Sequence, residues 1–180
     1  GIVSYLSSGM IPGIGKKLAE RIYDTFGEQS LEVLDRDPTR IEEVSGISQK
    51  KRDQFCDAYM ETRSARKLIN MLAPFDISAM QAIHLRRQLG LDAQTLLAQF
   101  PYMVFERDLI DFETADRLAQ ANGIPMDAPE RLDAGLLCTL KQAESSGHLS
   151  MHKERLVQRA VNLLRAPAVT WKAVAQRAFE

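Results

Sequence analysis

Residues 11–22 read IPGIGKKLAERI and residues 44–55 read VSGISQKKRDQF. In each, an apolar residue stands between two small ones, Gly13-Ile14-Gly15 and Gly46-Ile47-Ser48, and the two leading glycines are 33 residues apart. Cations follow at once, Lys16 and Lys17 in the first copy and Lys50, Lys51 and Arg52 in the second. Glycine reaches positive φ without steric cost and lets another backbone come close, so it suits a tight turn. The central isoleucine is expected to anchor that turn in a core, and an amphipathic helix is expected to begin behind it. The first amides of a helix have no partner within it and lie at the positive end of its dipole, where a phosphate oxygen is well received. The lysines would add charge-assisted contacts. The chemistry expected is therefore oxyanion binding by Gly13, Ile14, Gly15, Lys16 and Lys17 and by Gly46, Ile47, Ser48, Lys50 and Lys51. Arg52, Arg86 and Arg87 are second-rank contacts, and Arg63, Arg66 and Lys67 could extend the same face. Charge runs are more often solvated faces, however, and residues 1–72 balance eleven cations against eleven acids.

The pattern resembles the helix-hairpin-helix motif, which holds nucleic-acid backbones without reading bases. The first copy matches through Gly13, Ile14, Gly15, Leu18, Ala19 and Ile22. The second departs at Ser48, which replaces a glycine, and at Arg52, which stands where Ala19 packs. A third copy runs from Leu109 to Ala115, aligning Ala115 with Ala19. It has lost both glycines, and Asp111 and Glu113 would repel phosphate, so a packing role is expected there. The same hairpins are sometimes only structural turns that pack helix on helix.

Other chemistries find less support. A P-loop ending at Gly15-Lys16 would need glycine where Met10 stands and Ser or Thr where Lys17 stands. Glu144, His148 and His152 are spaced for a metal on one helix face, but Ser145-Ser146-Gly147 interrupts that helix, so no metal site is expected. His84 reads as a half-exposed helical histidine. Cys56 and Cys138 lie in apolar helical surroundings without paired spacing and read as buried thiols of a reducing cytosol. No nucleophile elbow, triad or glycosylase-type catalytic Asp segment follows either hairpin, so no catalysis is expected in these residues.

The elements that must position the hairpins are helices. The chain has 180 residues, 45% apolar, 26% charged and 7% aromatic, with a formal charge of −1. That is enough material for a core and excludes a generally basic nucleic-acid coat, although charges act locally over a Debye length of roughly 8–10 Å. No apolar run approaches the roughly 20 residues of a membrane span, and no secretory leader is visible, so a soluble protein without a membrane partner is expected. The first residue is Gly1, which is read as the start of a piece of something longer. Leu (21) and Ala (20) far outnumber Val (8) and Thr (7), which favours helix over strand. Apolar spacing predicts helices over 14–26, about 28–36, Ile47 to Ala73, 77–89 and 112–121. Another is predicted from Asp127-Pro129-Glu130, with Asp127 as N-cap and Leu132, Leu136, Leu137 and Leu140 inside. One more carries Leu156, Val157, Ala160, Val161 and Leu164, and a short tail holds Trp171 and Val174. The expected fold is all-α, tandem helix-hairpin-helix motifs followed by a small helical bundle. Its expected divisions are 1–73 for the tandem hairpins, 74–125 for a helical region with the degenerate third hairpin, and 126–180 for a C-terminal helical subdomain.

The order of features goes further. GIVSYLSSGMIPGIGKKLAERI, LEVLDRDPTRIEEVSGIS, FETADRLAQANGI and APERLDAGLLCTLKQAESSGHLSM together resemble the N-terminal region of RecD-type, exodeoxyribonuclease V alpha-like DNA helicases. The similarity covers about residues 1–165 and is most specific from Phe112 to His148. The resemblance implies a helical, hairpin-bearing accessory domain that binds DNA, single-stranded or forked, in repair or recombination. It implies an ATP-driven 5′ to 3′ motor beyond this chain, which would hold ATP and Mg²⁺, with no cofactor here. It also implies a bacterial cytoplasm and nucleoid. The competing expectation is a scaffold module that docks on the motor, its hairpins purely structural.

Overall fold

The computed structural model describes every residue except Met10, Pro12, His148, Leu149 and Glu180. Among the described residues the chain is helical, without a strand. The helices are α1 (Ile2–Leu6), α2 (Lys16–Phe26), α3 (Ser30–Arg36), α4 (Gln49–Leu72), α5 (Ala79–Leu89), α6 (Ala93–Gln99), α7 (Pro101–Glu106), α8 (Phe112–Ala121), α9 (Pro129–Ser145), α10 (Lys153–Leu164) and α11 (Trp171–Phe179). Short 3₁₀ turns cover Gly27–Gln29, Pro38–Glu43, Ala73–Phe75 and Gly90–Asp92. Packing divides the chain into two compact units, Gly1–Leu91 and Asp92–Glu180.

The first unit buries Leu6, Ile11, Ile14, Ala19, Ile22, Leu34, Ile41, Val44, Ile47, Phe55 and Tyr59 in one cluster. Its turn isoleucines, Ile14 and Ile47, are each only 7% exposed, so each anchors its turn as its position suggested. Burying such a side chain contributes about 1.5–3 kcal/mol. The second unit closes around Tyr102, Phe105, Phe112, Leu132, Val157, Leu164 and Val174. A buried ion pair braces it: Arg131 donates from Nε and Nη2 to Asp116 at 2.8 and 3.1 Å, and also to the carbonyls of Met126 and Leu164. Tyr102 donates to the same Asp116 at 2.5 Å. In the first unit Asp35 plays the corresponding part, accepting from Tyr59 at 2.5 Å and from both terminal nitrogens of Arg66.

Helix starts are set by caps more than by apolar spacing. The helix expected from 14 begins at Lys16 because Gly13–Gly15 is spent on the turn, and those expected from 47 and 77 begin at Gln49 and Ala79, behind Ser48 and Ser78. The stretch expected as helix from 28 opens as a 3₁₀ turn before α3. Asp127 is not the N-cap of α9; Ala128 is, without a side-chain bond, and Pro129 at the first helical position removes one of the amides a cap would serve. Leu140 is 41% exposed rather than buried, since Leu136, Thr139 and Ala143 hold the inner face of α9 and Leu140 points about a quarter-turn away. Met60 is likewise exposed, beside the buried Tyr59. Both cysteines are free thiols, half-buried rather than fully so.

The described elements also repeat at a spacing of 63 residues without a gap. The starts and ends of α2, the turn Gly27–Gln29, α3 and the turn Pro38–Glu43 each recur 63 residues later as α5, Gly90–Asp92, α6 and α7, and α4 and α8 start at matching positions. Ile14, Ala19, Gly27, Leu34, Pro38 and Ile47 recur unchanged as Ile77, Ala82, Gly90, Leu97, Pro101 and Ile110. The chain thus carries two pairs of hairpins, one per copy.

Candidate nucleic-acid interface

The first hairpin links α1 to α2. Gly13 has φ +86° and Gly15 is the N-cap of α2 in an extended conformation. With no side chain at Gly15 and no other side-chain cap, the amides of Lys16, Lys17 and Leu18 precede the first helical bond, Ala19 N–H to the Gly15 carbonyl. The first turn of α2 carries no acid. Lysines at the positive end of a helix dipole are misplaced by about 0.3–1 kcal/mol each, a local cost that an anion at that point would reverse.

The second hairpin leads into α4. Gly46 has φ +79°, and Ser48 is the N-cap, its hydroxyl accepting from the Lys51 amide at 3.3 Å. One amide that glycine would leave open is therefore lightly held. Gly13, Gly15, Lys16 and Lys17 of the first hairpin share a cleft of about 480 Å³ with Lys51, Gln54 and Phe55 of α4. Lys50 is exposed in the same first turn of α4, while Ile14 and Ile47 lie in the core behind their turns. Among the described residues, Lys16, Lys17, Lys50 and Lys51 make no ion pair.

The second-rank arginines do not line this cleft. Arg87 is held by Glu61, and Arg66 and Arg63 by the Asp35 carboxylate and carbonyl. Arg86 is half-buried near the end of α5. Arg52 is half-buried on α4 with its Nε lacking a partner, and His84 is exposed. Glu144 lies next to the end of α9 and His152 precedes α10, whereas His148 lies outside the described residues. No group of three or more metal-ligating side chains converges among the described residues. None of their helices is long and apolar enough to cross a membrane.

Two features escaped the sequence reading. One is a further hairpin at Asp76-Ile77-Ser78, where Asp76 takes φ +60° and Ser78 caps α5. It lacks glycine, and its signal was the 63-residue repeat. This turn is closed: Ser78 Oγ accepts from the Gln81 amide at 3.1 Å and Gln81 Oε1 accepts from the Ser78 amide at 2.9 Å, a full capping box. The Leu109–Asp111 turn is closed too. Its positive φ falls on Asp108, one residue early, and the Asp111 carboxylate accepts from the Thr114 amide at 2.8 Å with Glu113 beside it. The other feature is Arg21, whose guanidinium rests on Gly46: a Cβ there would lie 3.3 Å from Arg21 Nη1.

Burial pushes the Asp35 carboxyl upward, but bonds from Arg66 and Tyr59 outweigh it and hold the group below its ordinary value. Burial also raises the Cys56 and Cys138 thiols, which keeps both protonated.

A family model described as the ATP-dependent RecD2 DNA helicase HHH domain matches residues 61–150, half of the chain. One described as a SAM-like helix-hairpin-helix tandem matches residues 5–57, the region of the first hairpin pair. The ATP-dependent RecD2 DNA helicase of Deinococcus radiodurans is 30% identical over 166 residues, which cover 92% of this chain and 23% of that relative. The chain thus spans less than a quarter of the relative it matches. No solved structure matches it. A match over half the chain, on helices and turns of the kind described above, makes it a member of the helix-hairpin-helix domain family of RecD2-type DNA helicases.

Proposed function

We propose that this region binds the DNA backbone without sequence preference, as an accessory domain of a RecD-type helicase whose ATP- and Mg²⁺-dependent motor lies in the rest of the protein. The observation that carries this reading is the shared cleft, where two helix N-termini, one open and one lightly capped, bring together lysines that make no ion pair among the described residues. Gly13, Gly15, Lys16 and Lys17 hold one phosphate, and Gly46, Ser48, Lys50 and Lys51 another. Ile14 and Ile47 set the two turns from behind. Such contacts position a strand but do not read it. The domain keeps DNA, single-stranded or forked, close to a motor moving 5′ to 3′ in repair or recombination.

The test is fluorescence anisotropy of labelled single-stranded, duplex and forked DNA across a salt series. Neutralising two to four phosphates gives a slope of log K against log salt of about −0.7 per phosphate on single strands and −0.9 on duplex. Absence of binding to all three at low salt would overturn the reading. For the turns at 76–78 and 109–111 the closed caps favour the scaffold role, packing helix on helix or docking on the motor.

A further inference from the structure

We infer that Arg21, on the helix of the first hairpin, supplies the second hairpin with a further phosphate contact beside Lys50 and Lys51, seated there by Gly46; this extends the DNA-binding reading and rests on it. The second turn is the less open of the pair, because Ser48 draws on the Lys51 amide. A cation brought from outside that turn would offset what the cap removes. Arg21 is placed to do this. Its guanidinium carbon lies 3.7 Å, and Nη1 3.3 Å, from where a Cβ on Gly46 would stand. It lies there bare, since among the described residues its side chain makes no ion pair or hydrogen bond, unlike Arg66 and Arg87. A planar fork with five donors and no acceptor leaves its phosphate-binding capacity intact in that position. Gly46 therefore meets two demands: its φ of +79° suits glycine, and its missing side chain makes room for the arginine.

The repeat supplies a second, independent observation. The positions 63 residues after Arg21 and Gly46 are His84 and Leu109, so the copy with self-capped turns has lost both members of the pair. Lys17, one turn before Arg21 on the same helix face, becomes Met80 in that copy, and Lys50 becomes Glu113. Arginine and bare glycine occur together at the lightly capped turn and are both absent at the matching self-capped one.

The experiment is the same salt-series anisotropy on the whole 180-residue chain, comparing the unaltered protein, Arg21→Gln, Arg21→Lys and Lys16→Glu/Lys17→Glu. Arg21→Gln is expected to reduce the steepness of the salt dependence by about 0.7 on single strands or 0.9 on duplex, and low-salt affinity roughly tenfold. Arg21→Lys should keep most of the steepness, because the charge remains. An Arg21→Gln protein that binds like the unaltered one, while the double lysine variant is weakened, overturns the role of Arg21 and leaves the first hairpin's role standing. If the unaltered chain binds no DNA, both readings fall. Unchanged far-ultraviolet circular dichroism in Arg21→Gln, an exposed position, ties any loss to the contact rather than to the fold.

Discussion

The hairpins at 13–15 and 46–48 and those at 76–78 and 109–111 share spacing, the start of the following helix and a central isoleucine, buried in the first pair and half-buried in the second, yet they treat their backbone amides in opposite ways. In the first pair one turn has no cap and the other a single hydroxyl at 3.3 Å, and lysines load the first helical turn of both. In the second pair Ser78 and Gln81 close one turn reciprocally, and the Asp111 carboxylate closes the other. The same geometry can offer its amides to a ligand or use them for its own stability. Charge is also used differently in the two units, with bare lysines around the first cleft and Arg131 buried against Asp116 in the second unit.

The largest expected effect probes that buried charge. Arg131→Met leaves Asp116 without its main partner in a site where Arg131 is only 3% exposed, and urea denaturation should show a loss of about 3–5 kcal/mol. The corresponding Arg66→Met, at a pair roughly one-third exposed, should cost no more than about 1 kcal/mol. Equal losses would mean that the two units do not treat their ion pairs differently.

Next comes the cleft. Lys16→Glu/Lys17→Glu should lower DNA affinity about a hundredfold at low salt and flatten the salt slope by about 0.7 on single strands, the share of the one phosphate that this hairpin holds. Asp111→Asn, at a turn already satisfied by its own side chain, should leave binding within about twofold. If the acidic turn mattered as much as the lysine turn, the comparison between the pairs would collapse.

Removing the caps gives smaller changes. Ser48→Gly should weaken folding by a few tenths of a kcal/mol while improving DNA affinity about twofold, because an amide is released. Ser78→Gly should weaken folding similarly and leave DNA affinity alone, a difference readable by pairing thermal melts with anisotropy.

The smallest effect is with pH. The Asp35 carboxyl sits below its ordinary value of 3.8, so it favours the folded state at higher pH. That contribution is fully present above the unfolded value and disappears as pH falls through the folded one. Acid titration of urea midpoints should therefore be shallower below about pH 4 in Asp35→Asn than in the parent chain.

Much of this was legible in the residues. The excess of Leu and Ala over Val and Thr and the four-residue apolar spacing are local signals, and they suffice for an all-α chain. Gly13-Ile14-Gly15 and Gly46-Ile47-Ser48 could be seen because glycine is a rare, strongly constrained signal for positive φ. The turn at Asp76 is not legible, because aspartate at φ +60° leaves no such mark, and Asp127 suggests a cap although the N-cap position falls on Ala128. Leu140 lies outside rather than inside because an apolar side chain on a helix states a preference, while its neighbours decide the face.

Composition and periodicity dictated the helices, the first two turns and the lysines behind them, because propensity, glycine conformation and N-terminal charge act within a few residues along the chain. Which cations are bare and which are paired was settled by folding. Arg66 and Arg87 look as available in the sequence as Lys16 and Lys51, yet Asp35 and Glu61 reach them across 31 and 26 residues. Arg21 came to lie on Gly46 in the same way, through packing between elements distant along the chain. Ion pairing and steric fit depend on distance in space, and no spacing along the chain encodes that.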